Sequence, residues 1–170
     1  GDDDAARLAR RCDDGVPLVV DAEAVQLVRG QPGRAGRGSL LTPHAGELAR
    51  LLGVSREAVH ADPLTHVRSA AQRFEITVLL KGATQYIAQP DGRVTIAVAG
   101  PSWTAQAGSG DTLAGICATL LASGLSAHWS AVLGASVQAL TAQSNPGPWP
   151  PDVLAQRLPE VIADLTELVG

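Results

Sequence analysis

The stretch Ala107-Gly108-Ser109-Gly110-Asp111 runs directly into a segment whose apolar residues recur at helical spacing. Those apolar residues are Leu113, Ile116, Cys117, Leu120 and Leu121. The pattern predicts a helix with the small residues at its N-terminus, where backbone N–H groups lack intrahelical acceptors. Those N–H groups and the helix dipole favour an anion, and glycine lets a phosphate approach without a Cβ in the way. The stretch therefore predicts a phosphate-binding loop.

Asp111 is the unexpected residue in this loop, because a carboxylate beside bound phosphate is repelled by the ligand. Two roles are compatible with its position. It could cap the helix, or it could accept a proton from an attacking hydroxyl group. The motif by itself leaves both roles open.

Three further stretches accompany the loop, each beginning at the end of a short apolar run. They are Val20-Asp21-Ala22-Glu23-Ala24, Leu41-Thr42-Pro43-His44-Ala45-Gly46-Glu47-Leu48, and Leu80-Lys81-Gly82-Ala83, which Ile87-Ala88 and Pro90-Asp91-Gly92 follow. With the Gly-Ser-Gly-Asp motif they resemble the NAD(P)H-hydrate dehydratases of the ribokinase-like superfamily, in the family's own order. The resemblance covers most of positions 17–125.

The resemblance implies a ribokinase-like three-layer α/β/α fold with a mainly parallel central sheet, and the order of elements in the sequence agrees. Strands are predicted at 17–20, 39–42 and 76–80, with a hairpin of 86–88 and 94–97. Helices are predicted near the N-terminus and at 45–52, 62–73, 127–143 and 158–169. We expect a single domain over 1–170. Because family members have a longer N-terminal portion, we expect this domain to lack part of it and to be inactive or aggregation-prone alone.

Composition excludes several classes of partner. The chain has 170 residues, 45% of them hydrophobic, and a net charge of −4. It therefore has no basic footprint for nucleic acid or an anionic membrane, and no apolar run approaches a membrane span. Cys12 and Cys117 fit neither a disulfide framework nor a metal spacing, and Cys117 lies on the apolar side of its helix. We expect a cytoplasmic protein.

The candidate site residues come from the motifs and from the resemblance together. Asp111 is the candidate catalytic base, and Gly108, Ser109 and Gly110 form the candidate anion hole. In the resembling family, the histidine at the position of His44 contacts the substrate. The nucleotide-binding segment implied by the resemblance is Lys81, Gly82, Ala83, Thr84 and Gln85, together with Gly110. Gln85 stands where the family usually has threonine, and the neighbouring Thr84 is the candidate to supply the hydroxyl.

Several residues keep two interpretations. Asp21 could reach a magnesium ion through water or cap the next helix. Glu47 could orient His44, although a role at the helix N-terminus is the simpler interpretation. Trp103 could stack on a ligand ring or pack its loop against the sheet. A further group, His60, Asp62 and His66, lacks the spacing of a metal site, so we assign no metal ligands.

The reaction implied by the resemblance is the repair of hydrated NADH or NADPH. ADP or ATP would phosphorylate the hydrate's hydroxyl group with Mg²⁺ present, and loss of phosphate would restore the dihydronicotinamide. The composition resembles that of high-GC bacterial proteins, and bacterial members typically use ADP, so we expect ADP. Two alternatives remain: a ribokinase-like kinase of a vitamin precursor, of the hydroxymethylpyrimidine or thiazole type, and a non-catalytic nucleotide sensor. We expect a homo-oligomer.

Overall fold

The computed structural model describes residues 15–29 and 38–167, together with Arg10 and Ala35. The predicted N-terminal helix with Cys12, and most of the predicted loop over 29–38, lie outside the described residues. The strands are β1 (Val19–Val20), β2 (Leu40–Leu41), β3 (Thr77–Leu80), β4 (Tyr86–Ala88) and β5 (Val94–Ile96). The α-helices are α1 (Ala45–Leu52), α2 (Arg56–Ala61), α3 (Pro63–Phe74), α4 (Ser109–Ala122), α5 (Ala127–Ser144), α6 (Pro151–Ala155) and α7 (Leu158–Glu167). Two 3₁₀ helices span Ala22–Val28 and Ser102–Thr104.

The five strands form one sheet in the order β1-β2-β3-β4-β5. The pairs β1–β2 and β2–β3 are parallel, whereas β3–β4 and β4–β5 are antiparallel. Strand β5 therefore runs in the direction of β1, β2 and β3, and only β4 is reversed. The mainly parallel sheet is confirmed, and the predicted hairpin is its antiparallel edge.

Helices cover both faces of the sheet. Because neighbouring residues of a strand point to opposite sides, each strand contributes side chains to both helix layers. On one face Leu41, Val78 and Leu80 pack against the first 3₁₀ helix, α1, α2 and α3. On the other face Leu40 and Leu79 pack against α4 and α5. The runs predicted as strands are thus mostly apolar because both of their faces are buried, which confirms the three-layer architecture.

Local sequence explains where several helices begin and end. Gly53 has φ +76° directly after α1, a left-handed conformation that glycine adopts without strain. The Asp62 side chain accepts from the Thr65 N–H at 3.0 Å, and Pro63 is the first residue of α3. The short helix α2 was not predicted, because six residues give too short a periodic pattern. Its buried Val59 packs into the core.

The proline-rich segment after α5 leads directly into α6. Pro151 is the first residue of α6, and the N–H groups of Val153 and Leu154 donate to the Pro150 carbonyl. In the part of the chain that the structure describes, no helix combines the length and the apolar character needed to cross a membrane.

Candidate active site

The carboxyl ends of three neighbouring parallel strands bring polar side chains together. Asp21 follows β1, Thr42 follows β2 and Lys81 follows β3. His44 lies beside Lys81 in an isolated parallel bridge, and the Lys81 N–H donates to the Pro43 carbonyl at 2.8 Å. Open α/β sheets bind ligands at this edge. The structure therefore places two of the predicted site residues, His44 and Lys81, side by side at the expected edge.

Asp21 is held in an ion pair and does not cap a helix. Its Oδ1 lies 2.5 Å from Lys81 Nζ and accepts from the Thr42 hydroxyl at 2.8 Å. Although Asp21 precedes the first 3₁₀ helix, its side chain makes no capping hydrogen bond within the described part of the chain. The capping interpretation of Asp21 is therefore wrong.

The N-terminus of α4 presents backbone donors at the same edge. Gly108 precedes the helix with φ +89°, a left-handed conformation that favours glycine. The N–H groups of Gly108, Gly110 and Asp111 have no hydrogen-bond acceptor among the residues that the structure describes. The Ser109 N–H differs, because it donates to the Gln106 carbonyl at 3.1 Å. Of the three predicted donors, two are thus available to a ligand, and Asp111 adds another.

Lys81 connects the strand edge to this helix terminus. A Cβ added to Gly110 would lie 3.3 Å from Lys81 Nζ and 4.0 Å from its Cδ and Cε. The lysine stem thus passes closely over the backbone of Gly110, and a side chain at that position would push it away. The structure brings the predicted cation and the predicted anion-binding loop into one site.

Asp111 is exposed in the first turn of α4. Its carboxylate has no hydrogen-bond partner among the described residues, and the residue at the capping position is Gly108. The structure thus shows an exposed Asp111 carboxylate in the first turn of α4, and Gly108, not Asp111, at the capping position.

His44 caps α1, and the sequence did not indicate this role. Its Nδ1 accepts from the N–H groups of Gly46 at 2.9 Å and Glu47 at 3.2 Å. In return, Glu47 Oε2 accepts from the His44 N–H at 2.8 Å. Because Nδ1 accepts hydrogen bonds, this geometry places the ring proton of neutral His44 on Nε2, which lies 3.4 Å from Glu47 Oε1. Glu47 therefore fulfils both of its proposed roles, at the helix N-terminus and as the residue that orients His44.

The predicted nucleotide-binding segment forms the loop between β3 and β4. Gly82, Ala83 and Thr84 are exposed, and a Cβ on Gly82 would lie 3.3 Å from the Thr84 carbonyl. Gln85 is different: its carbonyl accepts from the Ala97 N–H at 3.1 Å, and its side-chain Oε1 is buried without a partner in the described part of the chain. Thr84 is thus the residue whose hydroxyl is accessible in this loop.

A cleft lies beside the N-terminus of α4. It is lined by Thr104, Gln106, Ser109, Thr112, Gln138, Thr141, Trp149, Pro151, Leu154, Ala155 and Leu158. Gln106 Nε2 donates to the carbonyls of Trp103 and Trp149, and Gln138 Nε2 donates to the Ser109 carbonyl at 2.8 Å. Sequence reasoning did not single out Gln106, Gln138 or Trp149, because they are far apart along the chain. Trp103 is exposed outside this lining.

The histidines near α2 and α3 are engaged in local contacts. His60 Nε2 accepts from Arg56 Nε at 3.1 Å, and His66 Nδ1 lies 2.7 Å from the Asp62 carbonyl. Within residues 15–29 and 38–167, no group of three or more histidine, cysteine, aspartate and glutamate side chains could hold a metal ion.

Taken together, a mainly parallel sheet between two helix layers, with N–H groups of a helix terminus, unpaired among the described residues, at its carboxyl edge, defines a ribokinase-like protein. The sequence model of the NAD(P)H-hydrate dehydratases matches residues 3–163, and the chain belongs to this family. The predicted family is therefore confirmed.

Relatives and solved structures agree with this membership. The chain is 44% identical over 124 residues to a bifunctional NAD(P)H-hydrate repair enzyme of Mycobacterium tuberculosis, covering 71% of this chain and 26% of the relative. It is 39% identical over 136 residues to an ADP-dependent (S)-NAD(P)H-hydrate dehydratase of Xanthomonas campestris, covering 79% and 46%. A Bacillus subtilis ADP/ATP-dependent NAD(P)H-hydrate dehydratase, crystallised with ATP and Mg²⁺, superposes with a TM-score of 0.79 and 26% identity, covering 87% and 56%. The chain spans less than half the length of these two curated relatives.

Proposed function

We propose that this protein takes part in the ADP-dependent repair of hydrated NADH and NADPH. The observation that supports this most directly is the approach of Lys81 to Gly110, the residue before the exposed Asp111 in the first turn of α4. A cation, unpaired N–H donors and an open carboxylate are the groups that phosphoryl transfer to a hydroxyl group requires. The names of the relatives favour the dehydratase over the kinase and sensor alternatives.

The first chemical step uses Asp111 as the base. Asp111 accepts the proton of the hydrate's hydroxyl group while that oxygen bonds to the terminal phosphorus of ADP, and the bond from this phosphorus to the bridging oxygen breaks to leave AMP. The N–H groups of Gly108, Gly110 and Asp111 donate to the phosphoryl oxygens as charge develops on them. The Lys81 ammonium supplies a positive charge that stabilises the negative charge on the phosphoryl oxygens.

The second step follows from the leaving group made in the first. Hydroxide is a poor leaving group, whereas phosphate departs readily with the electron pair of the carbon–oxygen bond. Loss of a proton from the neighbouring ring carbon then restores the double bond of the dihydronicotinamide. The protein contributes to this step by orienting the ring, so that phosphate is eliminated while the phosphorylated hydrate is still bound.

His44 is proposed to bind the hydrated cofactor. The side chain is 56% exposed at the strand edge, with Nδ1 held in the cap and Nε2 3.4 Å from Glu47 Oε1. A neutral imidazole with its proton on Nε2 could share that proton between Glu47 and a substrate oxygen. The imidazole is preoriented, because the helix start fixes it.

The loop of Lys81, Gly82, Ala83, Thr84 and Gln85 is proposed to bind the nucleotide, with the Thr84 hydroxyl as a donor. Mg²⁺ is proposed to arrive bound to the nucleotide's phosphates, because Mg²⁺ needs only one or two protein carboxylates beside phosphate oxygens. Among the described residues, the Asp21 carboxylate is paired with Lys81 and the Glu47 carboxylate with its helix start. When bound, the ion would neutralise charge on the donor phosphates.

A homo-oligomer and a cytoplasmic location remain predictions.

The test is incubation of the protein with hydrated NADH, ADP and Mg²⁺, following recovery of dihydronicotinamide absorbance and release of AMP and inorganic phosphate. Equal amounts of NADH, AMP and phosphate are expected when the longer N-terminal portion of the family is present, whereas the 170 residues alone are predicted to be inactive. Accumulation of a phosphorylated hydrate without NADH would instead indicate a kinase. Binding of ADP with no turnover of the hydrate would indicate a nucleotide sensor.

A further inference from the structure

Lys81 is the only lysine in the chain, and its surroundings are unlike those of a surface lysine. In its ion pair with Asp21, the side chains are 18% and 15% exposed for lysine and aspartate, respectively. The pair between Arg93 and Asp91 at the hairpin is, by contrast, 74% and 50% exposed. A largely buried pair with a short contact holds its geometry far better than an exposed one, which exchanges freely with water.

The Asp21 carboxylate is itself held in place. The Thr42 side chain is fully buried, and its hydroxyl donates to the same Oδ1 that contacts Lys81. The three residues follow three adjacent strands, so the rigid sheet sets their spacing. Because the acceptor cannot move, the ammonium that pairs with it is confined as well.

The position to which Lys81 is confined lies beside the anion-binding loop. Its Nζ lies 3.3 Å from where a Gly110 Cβ would be, and the Gly110 N–H has no acceptor in the described part of the chain. A phosphoryl group held by the N–H groups of Gly108, Gly110 and Asp111 would therefore meet the ammonium as well. An ammonium has three donors, so it can keep Asp21 and still contact that group.

We propose that Asp21 is a positioning residue: with Thr42 it holds the Lys81 ammonium at the anion-binding loop, against the phosphoryl group that is transferred. The terminal phosphate of ADP is thus the part of the nucleotide that Lys81 contacts. This inference rests on the proposed function for its chemistry. Its geometry can be tested without turnover.

The single lysine makes a direct test possible, because labelling with ¹⁵N at lysine Nζ yields one ammonium signal in nuclear magnetic resonance. Addition of ADP and Mg²⁺ is expected to shift this signal much more than addition of AMP and Mg²⁺. In Asp21→Ala the signal without nucleotide should approach that of free lysine. The control Asp91→Ala removes an exposed paired carboxylate and should leave the signal unchanged. Equal responses to ADP and AMP, or an Asp21→Ala signal like that of the wild type, would overturn the proposal.

Kinetics supply the second test. Asp21→Ala should lower kcat by about tenfold while KM for ADP stays within about threefold, because the charge remains and only its placement is lost. Asp21→Asn keeps an acceptor oxygen and should retain more activity than Asp21→Ala. The double variant Asp21→Ala/Lys81→Ala should be no slower than Lys81→Ala, since Asp21 acts through the lysine. Additive losses would show that Asp21 acts independently of Lys81.

A milder pair of variants covers the case in which Asp21→Ala does not fold. Thr42→Val removes the hydroxyl donor with nearly the same volume, and Thr42→Ser keeps it. The valine variant should shift the Lys81 signal and lower kcat, and the serine variant should do neither. If both variants match the wild type in the signal and in kcat, Thr42 does not help to hold the ammonium and the proposal fails.

If the wild type binds ADP but never regenerates NADH, the proposed function fails, and the Lys81 signal alone then decides the positioning role.

Discussion

His44 and Glu47 make two reciprocal hydrogen bonds at the N-terminus of α1. His44 Nδ1 accepts from the Glu47 N–H, while Glu47 Oε2 accepts from the His44 N–H. This reciprocal arrangement is a capping box with histidine in the place usually taken by serine or threonine. It gives His44 a structural role alongside the proposed substrate contact, and the two can be separated.

Two substitutions separate the two roles of His44. His44→Ala loses the cap and should lower the free energy of unfolding by about 1 kcal/mol, whereas asparagine is a good cap and His44→Asn should stay near the wild type. If the imidazole contacts the hydrated cofactor, both variants should raise KM for the hydrate and leave KM for ADP nearly unchanged. Denaturant unfolding and steady-state kinetics supply the measurements. Recovery of a normal KM in His44→Asn would make His44 purely structural.

Asp111→Asn tests the proposed base. Asparagine has the shape of aspartate and cannot accept the hydroxyl proton, so turnover should fall by about 10²–10⁴-fold. ADP should bind as well as before or slightly more tightly, because a negative charge beside the phosphates is removed. Turnover assays and calorimetric titration with ADP and Mg²⁺ measure both effects, with Asp91→Asn as the control. A loss of only a few-fold would rule out Asp111 as the base.

Gly134 allows α5 to pack tightly against Cys117 of α4. A Cβ at this position would lie 2.7 Å from Cys117 Sγ, so Gly134→Ala should destabilise the protein by about 1–3 kcal/mol. Gly115→Ala is the matched control in α4, because nothing lies within 4 Å of its added Cβ, and it should stabilise by about 0.5–1 kcal/mol. Adding Cys117→Ala to Gly134→Ala should restore part of the loss. Equal thermal unfolding midpoints for the two alanine variants would contradict this packing argument.

Cys117 should be unreactive while the protein is folded. Burial, with a smaller effect from the negative charge of Asp21, raises the pKa of its thiol from 9.0 to about 12. The reactive thiolate is therefore almost absent at pH 8. In a Cys12→Ser background, a thiol reagent should modify Cys117 only after denaturation. Rapid modification of the folded protein would show that the thiol is accessible.

The same thiol affects stability at high pH. Because its pKa is higher in the folded protein than in the unfolded chain, the folded state keeps a proton that the unfolded state loses. The resulting stabilisation is complete below pH 9 and declines as the pH rises towards 12. Replacing Cys117 with alanine should flatten this part of the stability profile in denaturant titrations.

Much of the local structure could be predicted from the sequence. The periodicity after Asp111 indicated α4, and the strand predicted at 76–80 and the helix predicted at 45–52 match β3 and α1. These features depend on residues a few positions apart, whose side chains and dihedral preferences act on the same turn or strand. The short helix α2 escaped prediction because packing in the core stabilises it, and its periodicity is too brief to detect.

The arrangement within the candidate site was decided by tertiary structure. The sequence indicated Lys81, Gly110 and Asp111 as separate candidates and left Asp21 with two interpretations. The ion pair between Asp21 and Lys81 joins residues 60 positions apart. It exists because β1, β2 and β3 lie side by side in parallel, an order that no local pattern encodes. Periodicity and turn chemistry are properties of a segment, whereas the meeting of strand ends depends on how all the segments pack together.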